Sequence, residues 1–291
     1  MMLASVVVLG LLGETAAVKT ELAIVTAPSR SWAERERAFG VLQTLDYREV
    51  IPRILPLLPP FGRPPKFFAR SAGPTPITET TPFDEQVEHG AHELVSSLLN
   101  RPLPSEERGR FLVTVLGGPD AEENFGKLQT AMFRHWVPEL EKPVLRILRD
   151  GKRVDLRASA ADLLVSTASA PRYLADALQL IRSQPTPEEQ SRVFLLVFCR
   201  NLAALTPAAW TEILRTGLEI LTKVSLPRAG ALSVQLGDWL HLSLPRYTIH
   251  PERGATPEEI ARERDEGVAI VRAWYVKHRA DLPAQAARVL P

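Results

Sequence analysis

The residues whose spacing comes nearest to a chemical site lie in "EQVEHGAHEL": Glu88, His89 and His92. His89 and His92 stand three apart and Glu88 precedes His92 by four, so both spacings put side chains on one face of a helix. Two imidazoles and a carboxylate are ligands that a divalent metal takes. A zinc site, however, needs a third and usually a fourth protein ligand, and neither a Cys pair nor a second His pair supplies them. His89 and His92 are therefore the nearest metal candidates in a chain to which no metal site is assigned, and a polar helix face is the plainer reading. His135, His241, His250 and His278 are isolated and read as surface or interface histidines.

"GGPDAEENFGK" resembles a phosphate loop only in ending on Gly126 and Lys127. The glycine spacing from Gly118 is too long, Leu128 replaces Ser or Thr, and Asp120, Glu122 and Glu123 would repel phosphate. No Gly-x-Ser-x-Gly elbow occurs. The carboxylate pairs Glu106-Glu107, Glu122-Glu123 and Glu258-Glu259 fall at expected helix starts, where the macrodipole favours negative charge. No catalytic residue and no cofactor is assigned. An enzyme whose site is dispersed over several helices, around His89 and His92, stays open as the alternative reading.

The best binding candidate is "FGRPPKFFAR", where Arg63, Lys66 and Arg70 interleave with Phe61, Phe67 and Phe68. It lies in residues 59 to 82, of which seven in 24 are proline, so neither helix nor central strand runs through them. A structureless segment of that length inside a compact domain is usually functional or disordered. Exposed phenylalanines beside cations suit an anionic or aromatic partner; a loop folded back onto the helices, and plain disorder, are the other readings of the segment.

The elements around these residues read as helix throughout, because apolar residues recur at three and four and strand-like alternation is nearly absent. Ser31 and Glu34 form a capping-box pattern ahead of "WAERERAFGVLQTL", and Asp46 and Glu49 repeat it ahead of "REVIPRILPLL", where Pro52 and Pro56 should kink the helix. Further helices are expected at about 84 to 99, 105 to 116, 120 to 135, 137 to 149, 155 to 168 and 171 to 183. Thr186-Pro187, Thr206-Pro207 and Thr256-Pro257 each pair a threonine N-cap with proline at the first helical position. They open helices at about 187 to 204, 207 to 223 and 257 to 278, with others at 228 to 243 and 283 to 289. The five tryptophans fall on apolar faces of separate helices and read as packing, with an aromatic groove as the sharper alternative.

"VPELEKPVLRILRDGKRVDLRASAADLLVST" joins a helix with proline in its middle to a second that opens on Leu156, Arg157, Ala158, Ala160 and Ala161. This resembles the HEAT repeat family, in which a Pro-bent first helix meets the second through a turn containing Asp. The resemblance implies that Asp150 and Arg157 are structural turn residues, with Asp155 able to substitute for Asp150 because the spacing is one residue longer than usual. A second match runs through Arg35 and Ala38 in "ERERAFGVLQTL". "VFCRNLAALTPAAW" resembles helical regions that accompany haem domains in some large secreted bacterial proteins, but without Cys-x-x-Cys-His no haem site follows.

Thirty-five Lys and Arg against 34 Asp and Glu give a net charge of +1, no field for gathering a polyanion, so nucleic acid is not an expected partner. The single cysteine, Cys199, excludes an internal disulfide framework and reads as a buried thiol. The apolar run from Leu3 to Leu12, followed by Thr15, Ala16 and Ala17, reads equally as a signal peptide over residues 1–17 and as a first helix. Secreted or periplasmic and cytoplasmic locations follow from the two readings. No segment is long enough to cross a bilayer.

Together these features predict an all-α, HEAT-like α-solenoid of antiparallel helix pairs: one domain over 18–291 carrying the Pro-rich loop at 59–82. The expected function is non-catalytic binding of another protein, on a concave surface lined by second helices such as 84 to 99 and 155 to 168.

Overall fold

The structure is a computed structural model that describes residues 14–60, 77–102, 104–118, 120–167, 170–198, 205–245 and 256–288. The signal run Leu3 to Leu12, the loop residues Phe61, Arg63, Lys66, Phe67, Phe68 and Arg70, and Cys199 and His250 lie outside the described residues. Among the described residues there are fourteen α-helices and no strand. No helix among them is long and apolar enough to cross a membrane.

The contacts divide the chain into two compact units, Met1–Pro143 and Val144–Pro291. The first unit holds α1 (Glu14–Val25), α2 (Trp32–Leu42), α3 (Tyr47–Ile54), α4 (Phe83–Leu99), α5 (Ser105–Leu116) and α6 (Ala121–Arg134). Helix α7 (Glu141–Asp150) contains the division. The second unit continues with α8 (Val154–Val165), α9 (Ala170–Arg182), α10 (Pro187–Val197), α11 (Pro207–Lys223), α12 (Leu226–Trp239), α13 (Pro257–His278) and α14 (Leu282–Arg288). Helix α1 was not foreseen as such; it runs through Ala17 and Val18, and both are buried.

In the first unit α1 packs on α2 and α3, α4 receives α2 and α3, and α5 packs on α6. The Ser31 cap forms in full: Ser31 Oγ accepts from the Glu34 amide at 3.2 Å and the Ser31 amide donates to Glu34 at 2.9 Å, worth about 1 kcal/mol to the helix start. Asp46 caps α3 by accepting from the Arg48 amide at 2.9 Å. Glu49 instead pairs with Arg53 at 2.7 Å, so the reciprocal half of that box goes to an ion pair one turn away. Pro52 is carried inside α3, and at Pro56 the chain tightens into the 3₁₀ turn Leu55–Leu57. Gly90 lets α4 approach α2, because a Cβ there would stand 2.1 Å from the Phe39 ring.

Within the second unit the helices from α8 to α11 each pack on the next and on the next but one: α8 on α9 and α10, α9 on α10 and α11, α10 on α11 and α12, and α11 on α12 and α13; α12 also packs on α13, and α14 on α11. Helix α8 is buried on nearly every side, from Leu156 through Val165, Arg157 alone excepted. The sequence expects it to line a concave surface; its run of alanines instead makes it thin enough to pack closely against α9 and α10. Trp210 and Trp239 meet at 4.9 Å between centroids, and Phe194 tilts against Trp239 at 6.1 Å. Helix α12 ends short of the expected residue 243. His241 takes a left-handed φ of 51°, its amide donates to Asp238 at 3.0 Å and the Leu242 amide to Gly237 at 2.8 Å, the bonding of a Schellman end with histidine in the place usually held by glycine.

Candidate functional site

A groove of about 610 Å³ opens in the first unit over α3, α5 and α6. Its floor is apolar: Phe111 and Val115 from α5 and Pro52 from α3, with Phe111 packed edge-on to Tyr47 at 5.0 Å. Arg48, Glu107, Arg110, Asp120 and Asn124 form the rim. Arg48 and Glu107 form an ion pair between α3 and α5, and Arg110 pairs with Glu106 one turn back along α5. The Tyr47 hydroxyl lies 3.4 Å from both Arg48 Nε and Glu107 Oε1, joining the three into one polar cluster. The phenol's hydrogen bond, with its charge interaction, holds the Arg48 guanidinium more firmly protonated than an isolated arginine. These pairs are half exposed and contribute little stability. The rim thus presents fixed charges of both signs above an apolar floor, an arrangement that suits a segment with an apolar anchor and a polar backbone.

The rim was not singled out from sequence. Glu106 and Glu107 do lie in the first turn of α5, but the partner of Glu107 is Arg48, which only the tertiary fold supplies. Glu258-Glu259 follows the helix-start reading, with Thr256 and Glu259 forming both halves of a capping box.

Helix α4 separates His89 from His92. His89, Glu93 and Ser97 face a groove shared with Trp32, Glu36 and Gln43 of α2 and its end, while His92, Ser96 and Asn100 face another shared with α6. The three-residue spacing puts the imidazoles on neighbouring faces of α4, each turned to a different groove. Among the described residues no three His, Cys, Asp or Glu side chains are grouped to hold a metal ion. Lys127, the end of the phosphate-loop lookalike, sits within α6 and donates to the Leu55 carbonyl at 2.9 Å.

The turn residues are placed as follows. Arg157 Nε donates to the Leu148 carbonyl at 2.8 Å, at the C-terminal end of α7. Asp155 pairs with Arg153 at 2.6 Å and accepts from the Leu156 amide at 3.0 Å. Burial opposes its charge, but the Arg153 hydrogen bond and cation together outweigh that and hold the carboxyl below its ordinary range. Asp150 is the exposed last residue of α7. Arg149 beside it reaches Asp176 of α9 at 3.1 Å.

No protein-family model, no curated protein and no solved structure matches this chain.

Proposed function

We propose that the chain is a non-catalytic helical-repeat scaffold, HEAT-like in construction, that holds another protein. The observation that carries this reading is a unit that recurs in the two halves of the chain. Arg35 is the fourth residue of α2 and donates to the Ala27 and Pro28 carbonyls just after α1, at 3.3 Å each. Arg157 is the fourth residue of α8 and donates to Leu148 at the end of α7. Three residues on stand the buried Ala38 and Ala160, and seven on the buried Leu42 and Leu164. One arginine per pair therefore ties the start of a second helix to the carbonyl end of a first, and the neighbour-and-next-neighbour packing of α8 to α13 is what stacked helix pairs produce.

Stacked pairs leave grooves between successive helices, and the one over α3, α5 and α6 is the docking surface of this reading. Photo-crosslinking side chains placed at the exposed Thr114 and the half-exposed Asn124 in native cells test it. The expected result is one discrete adduct of the same partner from both positions, absent when the crosslinker is moved to the exposed Lys223 of α11. Absence of a discrete protein adduct at both groove positions overturns the reading.

A further inference from the structure

A second cavity of the first unit, about 330 Å³ between α4 and α6, has a chemistry unlike that of the docking groove. Helix α4 and its cap contribute His92, Ser96 and Asn100, spaced four apart along one face; α6 contributes Lys127, Thr130 and Arg134, and His135 follows it. Every one of these polar side chains can donate a hydrogen bond. No carboxylate lines the cavity among the described residues, in a chain with 34 of them. Between the donors lie Leu58, Val95, Leu99 and Ala131.

The charges add to a positive field. Lys127 is nearly buried, with 8% of its side chain exposed, and its ammonium lies 3.4 Å from Glu123. Behind His135 stands the buried Arg108, whose guanidinium is 2.9 Å from Nε2. Two helix C-termini, at Asn100 and His135, contribute about half a negative charge each, and Glu123 contributes one more. Against them stand three full cations, Lys127, Arg134 and Arg108. Burial first, and then the cations Arg108 and Arg134, push the His135 imidazole below the ordinary histidine range.

We propose that this cavity is a binding site for the oxyanion head, phosphate or carboxylate, of a small molecule with a short apolar body. The volume, about 330 Å³, lies at the lower end of small-molecule sites, about 300–1,000 Å³, and favours a compact ligand. Arg134 and Lys127 supply charge, Ser96, Asn100 and Thr130 supply neutral donors, and Leu58, Val95 and Leu99 cover the apolar end. Binding is linked to protonation: an anion beside His135 favours the imidazolium, and by reciprocity the ligand binds more tightly as His135 protonates. This site is independent of the docking groove and stands or falls without it.

The test follows the histidine imidazole signals of the full chain by NMR during titration with inorganic phosphate, with butyrate and with butanol, at constant ionic strength set by chloride. The expected result is saturable perturbation of His92 and His135 by at least one anion, a rise in the apparent pKa of His135, and no response to butanol. Phosphate acting alone names a phosphate head; butyrate acting names a carboxylate. Arg134→Gln, at an exposed position that preserves the fold, should weaken binding about tenfold, as expected for loss of one charged contact. Perturbation that rises linearly without saturating, or equal affinity in Arg134→Gln, overturns the proposal.

Discussion

Arg157 Nε donates to the carbonyl of Leu148 across the turn between α7 and α8, at 2.8 Å. The bond satisfies a carbonyl that the end of α7 leaves without a helical partner and sets a cation against the negative end of its dipole. Arg35 does the same for the turn after α1 but is almost fully buried, stacks over Phe83 at 4.6 Å and also donates to Gln86. Arg157→Ala should therefore cost about 1–2 kcal/mol, and Arg35→Ala about 3 kcal/mol. Urea unfolding measures both; equal costs would show that the burial of Arg35 adds nothing.

The helical character of the chain was legible because its signals are local. Caps such as Ser31 with Glu34, and Thr256 with Glu259, need only neighbouring residues and form as read. The groove rim was not legible, because Arg48 and Glu107 are 59 residues apart and meet only after α3 and α5 pack. For the same reason the surroundings of His89 and His92 were not legible: spacing alone does not say which neighbouring helix faces each imidazole. The burial of α8 escaped because a run of alanines reads equally as a surface helix and as a thin buried one.

Glu79 closes the start of α2 from the far end of the Pro-rich segment, accepting from the Trp32 and Ala33 amides at 2.8 and 3.1 Å. These two bonds hold its carboxyl below the ordinary range. A depressed carboxylate contributes stability that is present above its unfolded pKa of about 4.3 and is lost as pH falls through the folded value. Glu79→Gln should be less stable than the parent at pH 7, with the difference vanishing in acid, and should speed amide exchange at Trp32 and Ala33. A difference that does not change with pH would place the effect elsewhere.

For His135 the neutral imidazole is the form the fold favours, so the stability it contributes is complete above about 6.5 and declines as pH falls from there through the lower folded value. Arg134→Gln removes one of the cations that repel its proton. In chloride buffer this variant should raise the NMR titration midpoint of His135 and shrink the loss of stability on mild acidification. An unchanged midpoint would leave burial and Arg108 as the whole cause.

His241 occupies a backbone region where a side chain is strained and glycine is not. Its φ of 51° is needed to turn the Leu242 amide back to Gly237. Replacing it with glycine relieves that strain and should stabilise the protein by about 0.5–1 kcal/mol. A destabilised His241→Gly in thermal unfolding would mean that the imidazole makes a contact worth more than the strain.

Gly90 and Phe39 provide the sharpest test of how α4 packs on α2. A Cβ at residue 90 would fall 2.1, 2.5 and 2.6 Å from three atoms of the Phe39 ring, too close for any real contact. Alanine is the better helix former by about 1 kcal/mol, so propensity alone predicts that Gly90→Ala stabilises. The steric effect opposes this and is larger, because Phe39 is itself buried and the ring must leave its place or force the helices apart. The expected net effect is a loss of about 2 kcal/mol. Phe39→Ala alone should cost about 3 kcal/mol through the cavity it leaves, but it also frees the space that the methyl group added by Gly90→Ala needs. The double variant should therefore be more stable than the sum of the single effects by at least about 1 kcal/mol. Strict additivity in urea unfolding would show that α2 and α4 do not meet at this point.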